Sequence, residues 1–190
     1  MAEGPAYDLH RPRTDEWARV RDIRVRSIRD FPLAFLEPLE DALERDEAGW
    51  RDRVRRNLEP DALHLVARWT AGGEEVLPDR WVATMLCFVT DGPPDYLGPI
   101  AGTGGDRRAN LVGVWVAPEA RGGPVGPALL EAICAWVRDE QGLDALHLHV
   151  HERNPRAIAF YRRHGFVLTG ESIADPRPDG GREVEMVRRL

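Results

Sequence analysis

Residues able to do chemistry gather between Leu111 and Thr169. Arg121-Gly122-Gly123-Pro124-Val125-Gly126 lies between a short apolar run, Leu111–Val116, and an amphipathic stretch, Val125–Glu140. Glycines at such a place let the backbone turn tightly and come close to a ligand. Unpaired N–H groups at a helix start point outward, and the helix dipole adds partial positive charge. The turn therefore suits phosphate or pyrophosphate, with Arg121 adding a charge-assisted contact. A plain structural turn is the alternative. It is neither a Walker loop, since no Gly-Lys-Ser/Thr follows, nor a G-x-G-x-x-G motif. His147, His149 and His151 alternate, so they share one face of a strand. Imidazoles suit proton transfer or zinc binding. No Asp or Cys ligand is evident beside them, and packing is the plain alternative. Tyr161 offers a phenol with an ordinary pKa of about 10. Asn154 ahead of Pro155 reads as a helix cap.

These residues need elements to hold them. Leu111–Val116 reads as a buried strand, Ala117–Gly126 as a turn and Val125–Glu140 as a helix. Strand Ala145–Val150 leads into helix Pro155–His164, which stops at Gly165, and Phe166–Thr169 begins another strand. Upstream, Tyr7–Arg11 reads as a short strand. Thr14 or Asp15 caps a helix running to about Arg29, with Trp17, Val20, Ile23 and Ile28 inward and its arginines solvated. Phe31–Leu36 is a packed connector, and helix Asp46–Asn57 buries Trp50 and Val54. The acidic run Glu37, Glu40, Asp41, Glu44 is a solvated face, or alternatively an attractor for a cationic amine. Leu63–Trp69 and Trp81–Val89 are strands separated by a turn at Gly72-Gly73. Thr90–Arg108 and Gly170–Arg182 are loops, and Glu183–Leu190 is a last strand. Strands interleaved with helices make a mixed α/β domain.

A chain of 190 residues suits one domain with a substantial core. Its net charge of −6, from 26 basic and 32 acidic residues, argues against nucleic acid as a partner. Cys87 and Cys134 sit in apolar segments and read as small core residues. No apolar signal region opens the chain, and no apolar stretch reaches membrane-spanning length. The expectation is a cytoplasmic protein without a membrane partner.

The run Leu146–Val150, then Asn154, Ala157, Phe160-Tyr161 and Gly165-Phe166, resembles the second cofactor motif of the GNAT superfamily of N-acetyltransferases. Arg121–Gly126 resembles that superfamily's Arg/Gln-x-x-Gly-x-Gly/Ala pyrophosphate loop. The two motifs occur in the family's order and at its usual separation. The resemblance implies one GNAT domain over residues 1–190. Its sheet would be central, mixed and mostly antiparallel, with about six to seven strands flanked by about four helices. It implies acetyl-CoA as co-substrate, no metal, and direct acetyl transfer to a primary amine of a small molecule in a ternary complex. A protein N-terminal or lysine acetyltransferase is a second reading. A non-catalytic acyl-CoA-binding or regulatory domain is a third. Dimers are common in the family, which leaves a homodimer open.

The resemblance also assigns residues. Val114, Trp115 and Val116 would offer backbone groups to the pantetheine amides, with a main-chain N–H at or near Val116 facing the oxyanion. Arg121, Gly122, Gly123, Pro124, Val125 and Gly126 would take the pyrophosphate. Asn154, Ala157 and Phe160 would border the pantetheine arm, and Tyr161 would protonate the CoA sulfur. Pro124 departs from the pattern, standing where the family has its middle Gly and removing one N–H. Proline suits the first helical position, so the loop would lose a donor and keep its shape. Pro127, close behind, would distort the first turn. Many family members place a Glu beside the acceptor as base. Leu111–Val116 has no acid, and His149 is the candidate base in its stead.

Overall fold

The computed structural model describes residues 6–71, 80–92, 106–175, 177 and 180–190. Seven strands and five α-helices occur among them: β1 (Ala6–His10), α1 (Trp17–Asp30), α2 (Leu39–Glu44), α3 (Glu47–Arg56), β2 (Ala62–Ala71), β3 (Trp81–Asp91), β4 (Arg107–Val116), α4 (Val125–Asp139), β5 (Ala145–His151), α5 (Pro155–Arg163), β6 (Val167–Ala174) and β7 (Arg182–Arg189). The sheet order is β1-β2-β3-β4-β5-β7-β6. β4 and β5 are parallel, while β1/β2, β5/β7 and β6/β7 are antiparallel. The architecture is the expected mixed α/β one, with a short additional helix, α2. No helix among the described residues is long and apolar enough to cross a membrane.

The chain forms two compact units: Met1–Leu86 with Gly113–Ala132, and Cys87–Val112 with Ile133–Leu190. In the first, α1 turns Val20, Ile23, Ser27 and Ile28 inward, and α3 buries Trp50 and Val54, as their spacing predicts. Asp46 caps α3 by accepting from the Gly49 N–H at 2.8 Å. Neither Thr14 nor Asp15 caps the first helix. A 3₁₀ turn, Thr14–Glu16, precedes it, and the Glu16 carboxylate reaches back to the Arg13 N–H at 2.9 Å. The second unit is centred on Cys87, Ala109, Leu111, Ile133, Val137, Leu146, Leu148, Phe166 and Met186, all buried. Both cysteines are buried, as expected, and neither forms a disulfide among the described residues.

Two boundaries differ clearly from the sequence reading. β4 begins at Arg107, where a loop was expected. Arg108 and Asn110 hid the strand, because each is polar yet buried with a partner: Arg108 donates to Glu185 at 2.6 Å, and Asn110 to the Thr90 hydroxyl at 2.9 Å. β6 continues to Ala174 instead of giving way at Gly170. Gly170 there has φ +94°, and the register with β7 shifts between Leu168 and Ser172. A bulge of that kind looks like a loop in sequence. The Gly72-Gly73 turn and most of the loop expected at Thr90–Arg108 lie outside the described residues.

Candidate functional site

β4 and β5 pair at only three positions, Ala109↔Leu146, Asn110↔His147 and Leu111↔Leu148. Both strands go on past the last pair, to Val116 and His151. Gly113 follows with φ +61°, a left-handed conformation that glycine adopts without a Cβ clash. Backbone groups beyond Leu111 are thereby released from the parallel ladder.

Within the first unit, β4 carries Val114, buried Trp115 and Val116 into a 3₁₀ turn, Pro118–Ala120, and then the Gly-rich turn. The N–H groups of Gly122, Gly123, Val125 and Gly126 have no hydrogen-bond partner among the described residues. They lie just ahead of and inside the first turn of a 15-residue helix. That is a fitting place for a pyrophosphate. Pro124 is not the first helical residue, because α4 starts at Val125 and the Pro124 carbonyl accepts from the Ala128 N–H at 3.0 Å. It therefore stands in the capping position. Pro127 then falls in the third helical position, where an N–H would lack an intrahelical acceptor anyway, so the helix loses no bond. Arg121 is engaged by the protein itself. Its Nε donates to the Val116 carbonyl at 2.9 Å, and its Nη2 pairs with Asp30, which also accepts from the Trp115 indole at 2.9 Å. Arg121 thus fixes the turn against β4 and the end of α1. Nothing in the sequence flagged Asp30.

Within the second unit, Asn154 caps α5 by accepting from the Ala157 N–H at 3.2 Å, with Pro155 in the first turn. Asn154 is buried and Ala157 is half-buried. On α5 it is Tyr161, not Phe160, that packs inward: Tyr161 is buried with its ring 5.5 Å from that of Phe166, while half-buried Phe160 lies against His164 at 4.3 Å. Burial, and secondarily the charge of Glu183, pushes the Tyr161 phenol well above its usual pKa.

Opposed residues of an antiparallel pair share a face. His149 faces Glu185 across β5 and β7, and His151 faces Glu183. Glu185 accepts from Arg108 at 2.6 Å and lies 3.3 Å from His147 Nδ1. Although burial opposes ionisation, these contacts hold its carboxyl at about 2. His149 is driven down to about 4, chiefly by desolvation, and its Nε2 is buried without a partner among the described residues. His151 accepts at Nδ1 from the Arg153 N–H at 3.1 Å, and its Nε2 lies 3.4 Å from Asp175. A Cβ on Gly181 would come within 2.8 Å of that nitrogen. Glu183 is buried, lies 3.5 Å from Arg177, and is raised to about 7 by desolvation and then by Asp175. In the sequence Glu183 is one residue of an alternating strand, and its place opposite His151 is set only by the pairing of β5 with β7.

The acidic run is not uniformly solvated. Glu40, Asp41 and Glu44 are exposed, but Glu37 is enclosed by arginines of the first unit. Arg24 donates to it at 2.7 Å, Arg45 at 2.8 Å, and Arg53 at 2.9 Å to both oxygens. These cations hold the Glu37 carboxyl at about 2 against the opposing effect of burial. Arg24 on α1, expected to be solvated, is one of them.

The family model described as "Acetyltransferase (GNAT) family" matches residues 17–166. The chain is 32% identical over 127 residues to a mycothiol acetyltransferase from Stackebrandtia nassauensis, covering 64% of this chain and 35% of that protein. It is 43% identical over 63 residues to one from Salinispora arenicola, covering 33% of this chain and 20% of that protein. The chain thus spans between a fifth and about a third of the length of these relatives. The fold matches that of PaiA N-acetyltransferase from Thermoplasma acidophilum in complex with coenzyme A, with a TM-score of 0.65, 15% identity, and coverage of 97% of this chain and 99% of that one. With the family match running from the start of α1 to the residue before β6, the chain belongs to the GNAT family of acetyltransferases.

Proposed function

We propose that residues 1–190 work as one acetyltransferase domain that transfers the acetyl group of acetyl-CoA to a primary amine of a small molecule. The observation that carries this reading is the release of β4 from β5 after Leu111↔Leu148, followed by four N–H groups just before and at the start of α4 that have no partner among the described residues. The backbone at Val114, Trp115 and Val116 would meet the pantetheine amides, as strands meet extended amide chains. A main-chain N–H at or near Val116 would face the oxyanion. Gly122, Gly123, Val125 and Gly126 would take the pyrophosphate, with Arg121 and Pro124 shaping the turn. Asn154, Ala157 and Phe160 would border the pantetheine arm.

In the reaction the amine nitrogen forms a bond to the thioester carbon, and the C–S bond breaks once the tetrahedral intermediate collapses. The departing sulfur takes a proton from Tyr161, whose raised pKa keeps it protonated and available as a donor. The amine's proton passes to a base. Glu183, at about 7, is better matched to that task near neutral pH than His149, at about 4. Acetyl-CoA is an intracellular metabolite, so the reading also places the protein in the cytoplasm.

CoA release measured against a panel of small amines tests the reading, with acetyl-CoA affinity measured separately by calorimetry. Tyr161→Phe keeps the ring and removes the hydroxyl. Its kcat should fall about 10²–10⁴-fold, with acetyl-CoA affinity little changed. Full single-turnover activity in that variant would make Tyr161 a packing residue. Binding of acetyl-CoA without turnover on any amine would favour the non-catalytic alternative.

A further inference from the structure

Around Glu37 the first unit holds more positive charge than it neutralises. Three arginines, Arg24, Arg45 and Arg53, converge on one carboxylate, leaving a formal excess of two positive charges. Glu37 has about four lone-pair sites, and four arginine N–H contacts at 2.7–2.9 Å occupy them. Each guanidinium carries five N–H donors, so donors outnumber acceptors there. Arg45 Nε is buried and has no hydrogen-bond partner among the described residues.

The strongest charge effects within the cluster come from its own members: besides burial, the largest on Arg24 are those of Arg53, Glu37 and Arg45, and the largest on Arg53 are those of Glu37, Arg45 and Arg56. Behind the cluster His64 donates or accepts with the Thr84 hydroxyl at 2.9 Å, and burial with Arg53, Arg24 and Arg11 drives its pKa down to about 3. Enclosed charges of one sign are costly unless they are paired. The cluster is not sealed, since the side chains of Arg24, Arg45 and Arg53 keep 15%, 30% and 23% of their exposure.

Its position gives the excess a use. Arg24 Nη1 lies 4.0 Å from where a Cβ on Gly113 would sit, one residue before Val114 on β4. The Arg24 Cζ lies over the Phe35 ring, 4.4 Å from its centroid, a cation–π contact that helps hold the guanidinium in place. We infer that Arg24, Arg45 and Arg53 bind the carboxylate or phosphate of the acceptor, so that the substrate is an amine carrying an acidic group. This rests on the acetyltransferase reading above. An amine one or two carbons from the bound anion stays beside the stretch of β4 assigned to the thioester.

Matched acceptors test it: glycine against glycinamide for the carboxylate, and O-phosphoethanolamine against ethanolamine for the phosphate. At least one acidic member should exceed its neutral partner in kcat/KM by about tenfold or more, since hydrogen bonds to charged groups are the stronger kind. Whichever pair shows the preference identifies the acidic group. Arg45→Gln should erase most of that preference by raising KM, and Arg45→Lys should recover part of it. Inorganic phosphate, with CoA present to fill the Gly-rich turn, should raise the wild-type melting temperature more than that of Arg45→Gln. Equal use of acidic and neutral members, or an equal phosphate shift in both proteins, overturns the inference and leaves the transferase reading standing. Absence of CoA release with every amine removes the transferase reading and the acceptor assignment with it. A phosphate shift dependent on Arg45 would then mark an anion site of another purpose.

Discussion

Tyr161 and Glu183 are both acids displaced upward by burial, and the displacement suits them to opposite proposed uses. The phenol stays protonated across the working range and can only donate. The Glu183 carboxyl, at about 7, sits where a proton can be taken up and returned. If Glu183 is the base, kcat should rise with pH along a limb of apparent pKa near 7. Glu183→Gln should remove that limb and lower kcat about 10²–10⁴-fold, whereas His149→Gln should preserve it. A limb that disappears in His149→Gln and survives in Glu183→Gln would return the role to His149. The pH–rate profiles of the two variants, taken with an acceptor of known amine pKa, decide between them.

The turn between β4 and α4 acts as an element, because the pyrophosphate binding proposed for it would come from backbone direction and not from any one side chain. Gly122 has φ +77° with nothing near its Cβ position, which keeps the turn open. Arg121 and Asp30 pin it to β4 and α1. Gly126, in the first turn of α4, is buried. Gly126→Asp sets a carboxylate among the N–H groups assigned to the pyrophosphate. Acetyl-CoA affinity by calorimetry should fall about tenfold or more, as expected when a charge-assisted contact is replaced by repulsion. An unchanged affinity in a variant with wild-type circular dichroism would remove the turn from the cofactor site.

For the molecule as a whole, buried titratable groups set how stability varies with pH. His64 and His149 have folded values near 3 and 4 against an ordinary 6.5. The unfolded chain therefore takes up protons first as pH falls, and their contribution, full above 6.5, is lost towards pH 3. Glu37, near 2 against 4.5, adds a loss that begins only below 4.5. Glu183 acts the other way, since a raised carboxyl favours the folded state at low pH and loses that advantage as pH climbs from 4.5 through about 7. Between 6.5 and 4.5 Glu183 partly offsets the histidines, and below 4.5 it no longer does. Melting temperature should accordingly fall gently from neutral pH to 4.5 and steeply below. His64→Gln, which can keep the bond to Thr84, should flatten the acid limb. A melting temperature that holds level from pH 7 to 3.5 would contradict the buried, neutral state of both histidines.

The sequence by itself determined the elements whose pattern is local. Helical spacing of Val20, Ile23 and Ile28, the Asn154 cap with Pro155, and the glycines at 122, 123, 126 and 165 each follow from neighbours a few residues away. That was enough to place Leu111–Thr169 in its family order and to single out Tyr161. Burial was decided only by the fold. Glu37 reads as part of an acidic surface run until Arg24, Arg45 and Arg53 arrive from α1, the end of α2 and α3. Arg108 reads as loop until Glu185 meets it from a strand 77 residues away. Glu183 and His149 take their protonation chiefly from burial, which comes only when β5 and β7 pair, and Asp30 finds Arg121 across 91 residues. Local sequence sets backbone direction and period. The charge state of a carboxylate or imidazole depends on which distant groups exclude its water, and that is fixed only when the strands are paired.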